Sequence, residues 1–447
     1  MMNLKEYRQT NKRLADFLPW ACLIAPGFVL NKDGSFQRSA MFRGPDLESA
    51  TAASLVSVCS RINNALKRFG SGWALYFEAA REPATDYPES QWRDPVGWLI
   101  DEERRGRFTE AGALFESRYT LTFAFLPPAD SVNRIEDAFV EKPAEEAGLA
   151  AFDHLARFIA ETDRSLDLIA SVVPEARFLT DNETLTYLQS SLSSKRHPVC
   201  APETPAYLDA VLGGVDLVGG LEPMLGGDHL RVLSLQGFPN ATEPGLFDDL
   251  NRLGFPYRWM TRFLPMDKSE ATKVLGRYRR QWFAKRKSLS AIVKEVMTNE
   301  ASALVDTDAD NKAADADAAL QALGEDHVSY GYVTTSVAVM DGDAAAADEM
   351  IREVERIING RGFVAMNETV NAVDAWLGGL PGHAYANVRQ PIIHTLNLVH
   401  MMPLSAVWAG PVENAHLNGP PLLYATANSN TPFRLVPHQN DVGHMLV

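Results

Sequence analysis

The stretch Tyr257-Arg258-Trp259-Met260-Thr261-Arg262-Phe263-Leu264 alternates. On an extended strand, successive side chains point to opposite sides, so Tyr257, Trp259 and Phe263 share one face and Arg258 and Arg262 the other. Working outward, Leu230–Leu235 reads as a strand before it and Leu246–Leu253 as a short helix ending at Gly254. Val328–Met340 reads as a long strand after it. Asp343 is placed to cap a helix with Met350, Ile351, Val354, Ile357 and Ile358 inward, closed by Gly360-Arg361-Gly362. Phe363–Met366 is a fourth strand. The order β-α-β, insertion, β-α-β is the split-βαβ, ferredoxin-like motif.

The insertion, 268–326, reads as helical, with Asp267 and Glu270 as a capping pair. Residues 268–300 hold nine Lys/Arg and three Glu, whereas 301–326 hold one Lys and seven acidic residues. Two antiparallel helices of opposite charge attract, so the segment predicts a helical hairpin standing off the sheet.

Before this unit, Cys22–Leu30 and Ser35–Phe42 flank Asn31-Lys32-Asp33-Gly34, which predicts a hairpin. A helix opening at Pro45-Asp46 carries Leu47, Leu55, Val58, Ile62, Leu66 and Phe69 and ends at Gly70. Trp73–Phe77 and Arg118–Leu126 read as strands, and 143–171 and Asp181–Ser194 as helices. Trp92 and Trp98, in a proline-punctuated stretch, read as packing anchors. Prolines and Gly-Gly pairs between His197 and Asp228 predict an irregular connection. After Asn371–Leu377, a helix, the tail reads as loop and short strand-like pieces. No long internal repeat stands out.

The chain has 447 residues, of which 46% are apolar and 22% charged, so it is globular and large enough to need no staples. Three dispersed cysteines, Cys22, Cys59 and Cys200, form no C-x-x-C pair and point to a reducing compartment. A net charge of −15 opposes nucleic acid and anionic lipid in bulk, leaving only local basic patches for either. The longest apolar runs, Trp20–Leu30 and Leu398–Gly410, are broken by Pro26 and Pro403 and fall short of a bilayer span. Membrane association is therefore expected to be peripheral or through a partner.

No phosphate loop, G-x-S-x-G elbow or H-E-x-x-H zinc signature occurs. His394 and His400 are six apart, which keeps them off a shared helix face. Asp306-Thr-Asp308-Ala-Asp310-Asn311 resembles the start of a calcium loop, but Asn311 replaces the turn glycine and Asp317 the bidentate glutamate. Tyr330-Gly331-Tyr332 sits where RNA-recognition sheets stack bases, without the flanking basic residue or aromatics on the first strand. Arg277, Arg279, Arg280, Lys285, Arg286 and Lys287 interleave with Tyr278 and Trp282. Such a helix serves single-stranded nucleic acid, an intramolecular acidic partner or a protein interface.

The tail holds Trp376-Leu377-Gly378-Gly379-Leu380-Pro381-Gly382-His383, then Thr431-Pro432-Phe433, then Asp441-Val442-Gly443-His444-Met445-Leu446-Val447. This order resembles the TrbE-like conjugative-transfer ATPases of type IV secretion systems. In that family the Leu-Pro-Gly closes the amino-terminal region, and the two later motifs lead into the motor domain. The resemblance implies the amino-terminal half of such an ATPase, ending just before its phosphate loop. It implies no catalytic, cofactor-binding or metal residue in this chain, with ATP and magnesium belonging to the full-length parent. It further implies a homohexamer docked peripherally on the cytoplasmic face of the bacterial inner membrane through inner-membrane subunits.

The expected fold is α+β. It comprises an amino-terminal α/β docking domain (1–196), a Gly/Pro-rich connection (197–228) and a ferredoxin-like domain (229–370) with the helical insertion 268–326. A linker with Leu-Pro-Gly (371–420) and the first strands of a RecA-like motor (421–447) follow. Trp20, Leu23, Ile24 and Phe28 are the candidate partner interface, because an apolar hairpin near the start offers a contact surface. The chain alone is not expected to hydrolyse ATP; the competing function is a single-stranded nucleic-acid module using 277–287.

Overall fold

The computed structural model describes residues 13–84, 86–88, 91–109, 114–128, 145–204, 206–239, 241–286, 318–427, 429–438 and 442–444. The calcium-like run 306–317, Lys287, Asp441 and 445–447 lie outside the described residues.

The first half of the chain runs β1 (Trp20–Ala25), β2 (Phe28–Asn31), β3 (Phe36–Arg43), α1 (Ala52–Leu66), β4 (Trp73–Pro83), α2 (Pro95–Thr109), β5 (Phe115–Phe125), α3 (Glu145–Ala170), β6 (Glu175–Phe178) and α4 (Asp181–Ser190). The second runs α5 (Leu208–Leu212), β7 (Leu217–Val218), β8 (Met224–Leu225), β9 (Asp228–Gly237), a 3-10 turn (Asp248–Arg252), β10 (Tyr257–Pro265), α6 (Lys268–Arg286), β11 (Tyr330–Asp341), α7 (Ala344–Gly360), β12 (Val364–Glu368) and α8 (Ala372–Gly378). After these come β13 (Ile392–His394), α9 (Thr395–Met401) and a separate hairpin of β14 (Leu423–Thr426) and β15 (Pro432–Leu435).

Among the described residues the fold is mixed α+β around one antiparallel sheet of 13 strands. In space the first half orders its strands β6–β3–β5–β4. The second half orders them β12–β9–β11–β10. Numbered within each half, both read fourth, first, third, second. The second strands, β4 and β10, pair with each other over Leu75–Arg81 and Tyr257–Phe263, so the halves meet about a pseudo-two-fold at this seam. A hairpin, β1–β2 or β7–β8, shares the first strand's outer edge with the fourth strand in each half. The repeat is one of strand order, which leaves no periodic motif for a sequence to display: where the first half has the 15-residue α1, the second has a 3-10 turn.

The alternation of β10 sets the two layers. Tyr257, Trp259 and Phe263 join Phe77, Phe123, Val333 and Val337 in a core covered by residues of α1, α3, α7 and α9. On the opposite face, Leu185, Tyr187 and Leu188 of α4 pack with Leu208, Trp376 and Leu377 of α5 and α8. Caps hold the helices where the pattern leads. Thr51 accepts from Ser54 N–H at α1, Thr180 and Glu183 form a reciprocal capping box at α4, and Asp343 accepts from two amides at α7.

Several expectations need correction. The run Cys22–Leu30 is two strands, because the chain reverses at Pro26-Gly27, where Gly27 has φ +76°. α1 begins at Ala52, behind its Thr51 cap, and the expected opening at Pro45-Asp46 lies outside the helix. The strand from Trp73 extends to Pro83 and is central. The stretch around Trp92 and Trp98 contains helix α2, and both tryptophans are about half exposed, at 49% and 54%. The segment 371–420 holds β13 on the main sheet and α9 in the core, with Leu398 and Val399 at 0% exposure. Of the insertion, α6 and a helical stretch at 318–324 are described.

Candidate functional site

Three arginines on β4 and β10 gather distant chain segments onto the seam. Arg258 is buried and pairs with Glu78 through two hydrogen bonds, its Nη2 donating to Glu78 Oε2 at 2.8 Å and its Nε to Oε1. Tyr187 Oη of α4 donates to the same Oε2 at 2.6 Å. Burial pulls the Arg258 guanidinium down, but the Glu78 carboxylate outweighs it and holds the group charged. Tyr187 is pushed well above the usual phenol range by burial and by the Glu78 charge, so it stays a donor.

Arg262, two repeats of the pleat along, faces the same side. Its Nη1 donates to the carbonyls of His383 (2.9 Å) and Ala386 (3.1 Å), and its Nη2 to Thr334 Oγ1 (3.1 Å) and Asn387 Oδ1. The Leu-Pro-Gly-His stretch is thus seated on β10. Trp20 Nε1 donates to Pro381 O at 2.8 Å from β1. Burial and the Arg262 charge push the His383 imidazole down to about 4, so it is neutral.

Arg81, opposite Tyr257 on the other face, donates to Leu253 O and Ser429 O, each at 2.7 Å. Arg434 of β15 pairs with Glu116 of β5 at 2.6 Å. Phe115 N–H donates to Asn430 O at 2.8 Å. The segment around Thr431-Pro432-Phe433 is therefore tied to the ends of β4 and β5. Of the arginines that hold the two tail motifs, Arg262 was visible in the sequence as the polar half of an alternating strand, whereas Arg81 lies beyond the expected Trp73–Phe77 strand.

The candidate interface residues are divided. Trp20 is at 0% exposure and Phe28 is buried against Phe158, so neither offers surface to a partner; the apolar run is spent on the core. Leu23 and Ile24 are half-buried and packed on the core clusters. Of the basic cluster, Arg277 is exposed, and Arg279, Arg280, Lys285 and Arg286 lie along α6. At the base of this insertion Lys268 Nζ meets Asp326 Oδ1 at 2.6 Å, a contact between its basic start and acidic end. Tyr330 is buried with its ring edge-on to His394.

His394 and His400 do structural work. The Nδ1 of His394 accepts from Asn397 N–H at 3.1 Å as the α9 cap, and Thr242 contacts His400. Cys59 is buried and its thiol pushed up to about 12, which keeps it protonated and unreactive. Among the described residues no group of three or more His, Cys, Asp or Glu could hold a metal, and no helix is long and apolar enough to cross a membrane.

The surface the sequence reading missed is α2. Val96, Trp98, Leu99 and Ile100 stand exposed at its amino-terminal end, with Trp92 beside them, while Asp101 and Phe108 face inward. Trp92 Nε1 and Tyr87 Oη both donate to Asp101, which orients this end. Contiguous exposed apolar side chains of this size mark interaction surfaces. The available signal was Val96-Gly-Trp98-Leu-Ile100, too dense in apolar residues for a helix with so narrow a buried stripe.

Residues 27–132 match the family model for the type IV secretion system ATPase VirB4/TrbE, N-terminal domain. Residues 291–389 match that of the CagE, TrbE, VirB family, a component of the type IV transporter system. A conjugal transfer protein TrbE of Rhizobium radiobacter is 33% identical over 467 aligned positions, covering 100% of this chain and 56% of that protein. In Sinorhizobium fredii, a probable conjugal transfer protein TrbE is divided between two chains. The second of them is 35% identical over 60% of this chain and 40% of its own length. The first is 39% identical over 28% of this chain and 87% of its own length. The chain spans about half the length of the full TrbE relative.

Proposed function

The chain belongs to the VirB4/TrbE family of type IV secretion system ATPases, and from that premise we propose that it is the assembly and docking region of a conjugative DNA-transfer ATPase. Its two sheet halves are then ferredoxin-like units, and β14–β15 opens the motor domain. ATP and magnesium bind in the portion of the full-length relatives that this chain does not span, and this chain alone turns over no nucleotide. The working assembly is a hexamer held at the cytoplasmic face of the inner membrane by membrane subunits of the system.

The observation that carries this reading is the exposed apolar end of α2 beside a tail tied to the sheet. A surface of Val96, Trp98, Leu99 and Ile100 suits a partner, while Arg81, Arg262 and Arg434 tie the tail to β4, β10 and β5. The test is fractionation of cells producing the chain with and without the other transfer proteins. Sedimentation with inner membranes only in their presence, lost in Trp98→Glu/Leu99→Glu, is the expected outcome. A wild-type chain that stays in the soluble fraction in both strains overturns the proposal. The nucleic-acid alternative predicts instead single-stranded DNA binding with a steep salt slope, abolished by alanines at 277–287.

A further inference from the structure

The sheet face that carries Arg262 has the side chains of a wetted surface. Ser39, Thr122, Tyr76, Arg262 and Thr334 are direct cross-strand partners, forming one row over β3, β5, β4, β10 and β11. All five are buried. Antiparallel sheets place such residues on the side that meets water. Here a segment without regular structure, 382–388, lies over the Arg262 end of the row, while Tyr187 of α4 reaches Thr122.

The cover is held by polar contacts and by the partly buried side chains of Ala386 and Val388, which pack against the core. Arg262 donates to the carbonyls of His383 and Ala386 and to Asn387. Tyr385 Oη donates to Asp33 Oδ2 at 2.9 Å at the rim. The side chains of 383–388 are half-buried or exposed, so lifting them uncovers little apolar surface. By contrast both ends are fixed. Leu380 is in the core, Trp20 holds Pro381 O, and Pro391 O accepts from Val333 N–H at 2.9 Å. Arg389 is held by Glu368 at 3.1 Å.

Closure also leaves buried polar atoms without a protein partner. These are Nε2 and Oε1 of Gln37, the Tyr76 hydroxyl, Arg262 Nε, Asn31 Oδ1 and Trp376 Nε1. Gln37 and Asn31 lie directly under Gly382, where a Cβ would collide with Gln37 Oε1 and where φ is +86°. A polar layer satisfied only in part favours states in which water reaches it.

We propose that residues 382–388 are a strap that opens locally between fixed ends at Pro381 and Arg389, with Arg262 as the post that closes it. The inference rests on the geometry of this chain and is independent of the docking reading. Hydrogen exchange of the intact chain, resolved by peptide, tests it. Amides of 382–388 are expected to exchange at a rate that does not change with urea below the unfolding transition, while those of β4 and β10 respond to it. Arg262→Lys, which keeps the charge but loses the fork, should raise strap exchange about ten-fold or more, as expected for losing a charge-assisted hydrogen bond. Exchange in β3 and β5 should stay unchanged. Strap exchange that tracks β4 and β10 in urea, or that Arg262→Lys leaves unaltered, overturns the proposal. Should that variant not fold, Tyr385→Phe removes only the rim bond to Asp33, and the strap must still exchange faster; no change there overturns it as well.

Discussion

At the scale of single residues, the Glu78–Arg258 pair is a necessity created by burial. Its two side chains are 2% and 9% exposed, so neither charge can be left alone. Glu78→Gln should cost about 3–5 kcal/mol, read as a fall in urea midpoint, whereas joint replacement by Glu78→Leu and Arg258→Met should recover most of it. Two histidines give stability a pH dependence. His383 and His394 are both pushed down to about 4, first by burial, and each Nδ1 accepts a backbone N–H, from Ala386 and Asn397. Their neutral forms are favoured in the folded chain, so this stability is complete above the ordinary imidazole value of about 6.5 and is lost as pH falls towards 4. Asp248 acts oppositely: burial raises it to about 6, so its contribution is complete below the usual carboxylate range and lost as pH rises through 6. His394→Asn keeps a capping side chain without the titration and should flatten the stability–pH curve between 6.5 and 4 by about one proton's worth of slope. The arginines of Tyr257–Leu264 were legible in sequence as the polar side of a strand, but their partners were not, because Glu78, His383 and Asn387 come from remote parts of the chain.

At the scale of elements, periodicity located β10, β11, α3 and α7 because each carries a sustained apolar pattern, and α7 in addition has its Asp343 cap. It failed at α2, where apolar residues are concentrated at one end and the buried stripe is narrow. An exposed helix end can be altered without touching the core. Trp98→Glu/Leu99→Glu should therefore shift the thermal midpoint little, within about 0.5 kcal/mol per site, while removing docking. Asp343 accepts from the amides of Ala345 and Ala346 at the start of α7, so Asp343→Ala should cost about 1 kcal/mol in chemical denaturation.

At the scale of the whole molecule, edge-to-edge pairing of β4 with β10 turns two similar halves into one sheet. The strands β9, β10, β11 and β12 were readable from their apolar runs and alternation, although the connection between the first two is a 3-10 turn where a helix was expected. The first half was not, since its strand order emerges only when β6 returns to pair with β3 across more than a hundred residues. The tail is tied to β10 and to the ends of β4 and β5, and Phe108 of α2 packs edge-on against Tyr424 of β14, so the helix carrying the proposed docking surface and the tail are in contact. Docking is tested most directly by producing this chain in cells that carry a complete conjugative system and counting transconjugants. If the chain occupies the docking position of the full-length ATPase, transfer falls at least about ten-fold, and Trp98→Glu/Leu99→Glu restores it. Unchanged transfer, with the wild-type chain folded and at least as abundant as the full-length ATPase, would contradict the assignment.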